Sequence, residues 1–245
     1  MALIGISGKI NSGKDLIGRI IQGLTATNIT EGEIIEIAEE RLINFNSTWK
    51  VRKFADKLKD IICLLIGCTR QQLEDRTFKE TLLGEEWRVQ YYNTDHGRVL
   101  CNVLSVADNL YKQEVLTPRL LLQLLGTQCG REIIHPDIWV NALMADYKDY
   151  KFNQAELLAG ALQAGLNSNW IITDVRFPNE VKAIKNRDGI VVRVDRPIAG
   201  ILSNHESETS LDNYKDFDHY IVNGGTIEDL IQKVRSILIF QKIIS

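Results

Sequence analysis

The segment Gly8-Lys9-Ile10-Asn11-Ser12-Gly13-Lys14 has the spacing G-x-x-x-x-G-K and stands between an apolar run, Leu3 to Ser7, and an amphipathic stretch, Lys14 to Leu24. Its position constrains the fold as much as its composition does. A polyphosphate needs several backbone N–H groups converging on its oxygens. Glycines let a loop turn tightly enough to provide them, and the helix N-terminus adds partial positive charge. The segment therefore reads as a P-loop at the carboxyl end of a strand, with Gly8, Lys9, Asn11, Ser12 and Gly13 lining a phosphate cradle. Lys14 is its mobile charge for the β- and γ-oxygens. The alternative is a glycine-rich turn with an incidental lysine. Asp15 stands where the usual pattern has a Ser or Thr on Mg²⁺. A carboxylate holds that ion directly or through water, or is simply an acid favoured by the helix dipole.

Four further short segments read as strands: Lys50 to Phe54, Asn169 to Thr173, Ile190 to Asp195 and His219 to Asn223. Continuous apolar runs suit a sheet covered on both faces. Helical spacing follows most strands, at Lys14 to Leu24, Asp56 to Ile66, Asn179 to Asn186 and Thr226 to Phe240. The alternation predicts an α/β fold of the P-loop NTPase kind, with a five-stranded parallel sheet flanked by helices. Between the second and third strands, residues from about 55 to 169 are spaced mostly as helices, which predicts a large helical insertion within a single domain. There Thr117-Pro118 starts a helix whose stripe Leu120, Leu121, Leu124 and Leu125 runs to Gly126. A second helix near Pro136 turns Trp139, Leu143 and Met144 inward. Residues 27–46 and 88–97 carry no assignable pattern.

Net charge is −3, so the chain lacks the broad positive field of a duplex-DNA binder, and no stable nucleic-acid partner is expected. No run approaches the roughly 20 apolar residues that span a bilayer, and the N-terminus shows no basic leader. These features predict a cytoplasmic protein. Cys63, Cys68, Cys101 and Cys129 lack paired spacing, which favours free thiols over zinc.

A second acidic position ends the strand Trp170-Ile171-Ile172-Thr173-Asp174, followed by Val175-Arg176-Phe177-Pro178-Asn179-Glu180. Ligands of open parallel sheets bind beyond the carboxyl ends of strands. Arg176 is suited there to grip phosphate bidentately, with Glu180 orienting it. The residues alone also fit a surface ion pair and a helix cap.

Taken together these features resemble the bacteriophage deoxynucleoside monophosphate kinase family. Further blocks carry the resemblance: Phe54-Ala55-Asp56-Lys57-Leu58-Lys59, Arg119 with Gln123-Leu124-Leu125-Gly126-Thr127, Asp137-Ile138-Trp139-Val140, Val194-Asp195-Arg196-Pro197, and His205-Glu206-Ser207-Glu208. The resemblance implies a nucleoside monophosphate kinase fold whose inserted region receives the acceptor. It implies that Lys59, Arg76, Arg119, Gln123, Gly126, Thr127, Trp139, Arg176 and Glu180 bind the deoxynucleoside monophosphate, with Lys14, Asp174 and Arg176 catalytic. It further implies ATP as donor, Mg²⁺ held by Asp15 and Asp174, pairing as a homodimer and a host-cytoplasm location. On chemistry alone, Lys59, Arg76 and Arg119 neutralise a monophosphate and Trp139 stacks on a base. The same residues also read as a solvated helix charge (Lys59), ordinary core (Trp139) and a glycine C-cap (Gln123 to Thr127). Arg196 and His205 receive no role.

The expected reaction moves the γ-phosphate of ATP to a deoxynucleoside monophosphate, giving the diphosphate and ADP. Such transfer asks for alignment and charge neutralisation, so a site of glycines, lysines and arginines suffices. A switch GTPase or a nucleic-acid-handling ATPase is the alternative. The sequence holds no N-K-x-D guanine-reading tetrapeptide and no basic stripe.

Overall fold

Leu3 and Ile4 point to opposite sides of one strand, and both are buried, at 2% and 1% exposure. That is possible only where a sheet is covered on both faces. A computed structural model describes residues 2–41, 45–94, 97–101, 112–147, 169–197 and 206–245. It divides the chain into one unit of residues 1–54 and 140–245 and a second of residues 55–139.

The first unit is built on strands β1 (Leu3–Gly8), β2 (Trp49–Arg52), β6 (Asn169–Val175), β7 (Ile190–Asp195) and β8 (His219–Val222). They form a five-stranded sheet in the order β2-β6-β1-β7-β8, and every pairing is parallel. β1 lies at the centre, with Ile4 opposite Ile171 on one side and Ile190 on the other. Alternate residues feed two cores. Ile4, Ile6, Ile171, Val192 and Val194 pack with α1 (Lys14–Leu24) and α10 (Ile227–Phe240) through Ile17, Ile20, Leu230 and Val234. Leu3, Trp170, Ile172 and Val191 pack on the other face with Val181 and Ile184 of α8 (Pro178–Lys185). The five strands and these helices lie within a residue or two of their expected bounds. In residues 27–46, where no pattern was assignable, α2 (Glu31–Ala38) begins at a capping box, with Thr30 and Glu33 satisfying each other's backbone N–H.

The second unit holds helices α3 (Asp56–Ile66), α4 (Arg70–Glu74) and α5 (Arg76–Glu80), then α6 (Pro118–Gln123). It also holds a three-stranded antiparallel sheet, β4 (Gly97–Cys101), β3 (Arg88–Thr94) and β5 (Lys112–Val115) in that order, which the apolar spacing did not reveal. Thr117 caps α6 by accepting from the Leu120 N–H, as expected. The helix does not stop at Gly126. It widens into a π-helix over Leu124–Ile134, an uncommon form that tends to mark functional segments. Gly126 is therefore not a C-cap, and a Cβ there would meet Leu58 Cδ2 at 2.8 Å, so it serves close packing. Cys63 and Cys68 are free thiols with sulfurs 3.8 Å apart. No helix among the described residues is long and apolar enough to cross a membrane. α7 (Ile138–Met144) buries Trp139, Leu143 and Met144, as its pattern requires.

Candidate active site

β1 ends at Gly8 and α1 starts at Lys14, so the intervening loop opens from the carboxyl end of the central strand. Gly13 takes φ +99° at the helix N-cap, where an added side chain would also strike Asn223 Nδ2 at 2.5 Å. Asn11 is likewise left-handed, at φ 62°. Just past β8, Asn223 donates from Nδ2 to the Ser12 carbonyl at 2.9 Å and pins the back of the loop. The Ser12 hydroxyl is buried inside this turn without a hydrogen-bond partner. Buried polar atoms are seldom left unpaired, so an orphan hydroxyl in such a loop points to a missing ligand.

Lys14 folds back over the loop, donating to the carbonyls of Gly8 at 2.7 Å and Lys9 at 2.6 Å. Burial pushes its amine down from the ordinary 10.5 to about 8, and the Arg176 guanidinium pushes the same way against Asp15 and Asp174. A phosphate would reverse that balance by favouring the ammonium. Tripolyphosphate binding without metal should therefore gain little from further acidification below pH 7, where most of this amine is already charged. Above pH 8 the amine must take up a proton to bind, so affinity should weaken by up to about tenfold per pH unit. Calorimetry in buffers of different ionisation enthalpy measures the uptake, and no net proton change at pH 9 would refute it.

Lys9 pairs with Asp212 and donates to the Glu208 carbonyl at 2.7 Å. Arg196 Nη1 approaches the Asn11 carbonyl at 3.4 Å. Asp15, its side chain about half exposed, accepts at Oδ1 from the Thr173 hydroxyl at 2.6 Å and pairs with Lys53 at 2.9 Å. Partial burial disfavours its charge, but Lys53 and Thr173 outweigh this and hold the carboxyl below its usual range. Asp174 accepts the Phe54 N–H at 2.8 Å, which links the ends of β2 and β6. Arg176 pairs with Glu208. Glu180, 1% exposed, takes the backbone N–H groups of Arg176 at 2.7 Å and Phe177 at 3.1 Å on one oxygen. It thereby fixes the turn that presents Arg176.

Residues 8–15, 174, 176 and 180 all belong to the first unit. Asp15 and Asp174 both act on the Lys14 charge, as does Arg176. Lys59, Arg76, Arg119, Gln123, Gly126, Thr127 and Trp139 belong to the second. There Lys59 bonds Glu74 at 2.7 Å and Arg119 pairs with Glu80. Arg76 and Gln123 are exposed. The Trp139 ring is 5% exposed among Leu58, Ile62 and Leu73, and its indole N–H donates to the Gly126 carbonyl at 2.7 Å. Expected as a stacking face, Trp139 is core here, because packing covers its ring and the Gly126 carbonyl satisfies its only donor. His205 lies outside the described residues. The sequence reading missed Lys53, Thr173 and Asn223, although Lys53 and Asn223 directly follow strands, where such a sheet binds ligands.

A family model described as deoxynucleotide monophosphate kinase matches residues 89–234, more than half of the chain. The chain belongs to this family. The kinase family's span contains Asp174, Arg176, Glu180 and Glu208 but not the loop at 8–14, so the loop geometry and the family match are independent observations. One relative, named "Putative deoxynucleotide monophosphate kinase" in Acanthamoeba polyphaga mimivirus, is 29% identical over 127 residues, covering 49% of this chain and 60% of that protein. Another, named deoxynucleoside-5'-monophosphate kinase in Escherichia phage T5, is 31% identical over 123 residues, covering 47% of this chain and 42% of that protein. The chain thus spans about half the length of the curated relatives it matches.

Proposed function

We propose that the chain is a P-loop kinase that transfers the γ-phosphate of ATP to a deoxynucleoside monophosphate, releasing ADP and the deoxynucleoside diphosphate. The observation that carries this reading is the loop of residues 8–14, where a left-handed Gly13 opens the helix N-terminus, the Ser12 hydroxyl is buried without a partner, and the Lys14 ammonium covers loop carbonyls. Loop amides and the helix dipole receive the donor's phosphates. Lys14 leaves the Gly8 and Lys9 carbonyls for the β- and γ-oxygens, and Arg176 neutralises the group in transit. The acceptor is already an anion at neutral pH, so no general base is needed.

The donor set at Asp15 and Asp174 fits Mg²⁺. Both supply oxygens, and no cluster of three or more His, Cys, Asp or Glu occurs among the described residues, so a cation there depends on substrate phosphates for its remaining ligands. That is the habit of magnesium, and the ion would supply charge neutralisation along the polyphosphate. Thr173 and Lys53 keep Asp15 ionised and oriented for it.

The unit of residues 55–139 receives the acceptor. Lys59 and Arg119 are paired with Glu74 and Glu80 in this structure, so a monophosphate gripped by these two displaces carboxylates rather than meeting bare charge. Because such cations grip the phosphate common to every nucleotide, more than one base should be accepted. A coupled ADP-release assay over all deoxy- and ribonucleoside monophosphates tests the proposal. Transfer to at least two deoxynucleotides, with kcat/KM above that for the matched ribonucleotides, is expected. Equal or better use of ribonucleotides would reject the deoxy preference, and no transfer to any acceptor would reject the kinase.

A further inference from the structure

The Glu208 carboxylate bridges two parts of the site that the kinase reading uses separately. One oxygen pairs with the Arg176 guanidinium, and the other accepts the Ile10 N–H of the loop at 2.9 Å. Its side chain is 10% exposed. The short helix that carries it, α9 (Glu206–Thr209), is tied down a second time, because Lys9 donates to the Glu208 carbonyl at 2.7 Å and pairs with Asp212. An acid this enclosed is costly unless its partners are fixed, and here they are an arginine and a loop amide rather than solvent.

We propose that Glu208 is a positioning residue for phosphoryl transfer, holding the Arg176 guanidinium at the mouth of the loop of residues 8–14. This rests on the kinase reading above and deepens it. Arg176 and Arg193 both act unfavourably on the Lys14 ammonium, so without an anion Arg176 is driven away from the lysine it must work beside. Glu208 places an anion directly against the guanidinium. The guanidinium is a planar fork of N–H donors, so a carboxylate that fixes its plane also fixes the direction from which a phosphoryl oxygen can be met. The bond of Glu208 to Ile10 sets where along the loop the arginine stands.

The test is a double-mutant cycle in the transfer assay, joined to nitrogen NMR of the arginine side chains. E208Q keeps an acceptor for Ile10 but loses the charge. It should lower kcat about thirtyfold with the KM for ATP within about threefold, while R176A lowers kcat about a hundredfold. The double variant should be no worse than R176A alone, since Glu208 acts through Arg176. In the wild type the Arg176 guanidinium signals should show hindered rotation about Nε–Cζ, and in E208Q they should average. Should E208Q fail to fold, E208D carries the same measurements, since it keeps the charge but with a shorter reach. Additive losses, unchanged kcat or an equally hindered Arg176 in the variant would overturn the inference while leaving the kinase standing. A wild type without transfer would overturn both.

Discussion

Removing magnesium is expected to stop transfer, lowering the rate at least roughly a thousandfold, as losing several kcal/mol of charge stabilisation demands. Asp15 and Asp174 both lie close enough to influence Lys14, and two carboxylates beside a triphosphate repel it unless a cation intervenes. Activity should return on adding Mg²⁺ to the chelated enzyme. Asp174→Asn separates ligand from scaffold, because an amide oxygen still accepts the Phe54 N–H that Asp174 takes at 2.8 Å. That variant should fold normally and need about tenfold more Mg²⁺ for half-maximal rate. Full activity in excess chelator would remove the metal role from both residues.

The second large effect is expected at Lys14. Lys14→Ala removes the charge that follows the β- and γ-oxygens, and kcat should fall at least about a hundredfold. Stability should change little. The two hydrogen bonds to Gly8 and Lys9 are lost, but so is the cost of keeping an ammonium where burial already depresses its pKa to about 8. The sign of that cost is testable. With the folded pKa below the ordinary 10.5, the unfolded chain binds more protons between pH 8 and 10.5, so wild-type stability gains from this group as pH rises through that window. The gain should be absent in Lys14→Ala. A folded variant with near-normal turnover would end the phosphate-loop reading.

The loop and the central sheet were legible in the sequence because both obey local rules. Gly13 is required by a left-handed backbone, and β1, β6 and β7 are continuous apolar runs because both faces are covered. The sheet of residues 88–115 was not legible. Its strands, such as Arg-Val-Gln-Tyr-Tyr-Asn-Thr at 88–94, do not alternate cleanly, and strand preference depends on cross-strand neighbours that a single sequence hides. The continuation past Gly126 was missed for a related reason. Glycine is the usual stop signal, and here it is kept for contact with Leu58. Asp15 was singled out from its place in the loop motif, Asp174 from the end of a strand and Arg176 from its place just past it. The partners that set their chemistry, Lys53, Thr173 and Glu208, are brought to them only by long-range folding.

The strand order β2-β6-β1-β7-β8 also bears on synthesis. β1 leaves the ribosome well before both its sheet neighbours, Asn169–Val175 and Ile190–Asp195, which follow the whole of residues 55–139. Until then Leu3 to Ser7 is an unpaired apolar segment, the kind of nascent surface that chaperones hold. Residues 55–139 form a sequence-contiguous unit and face no such delay. The loop of residues 8–14, set by β1 at its front and Asn223 at its back, is therefore completed only after residue 223 has emerged. A translation pause before residue 223 would leave a chain with residues 55–139 folded and the loop of residues 8–14 still open.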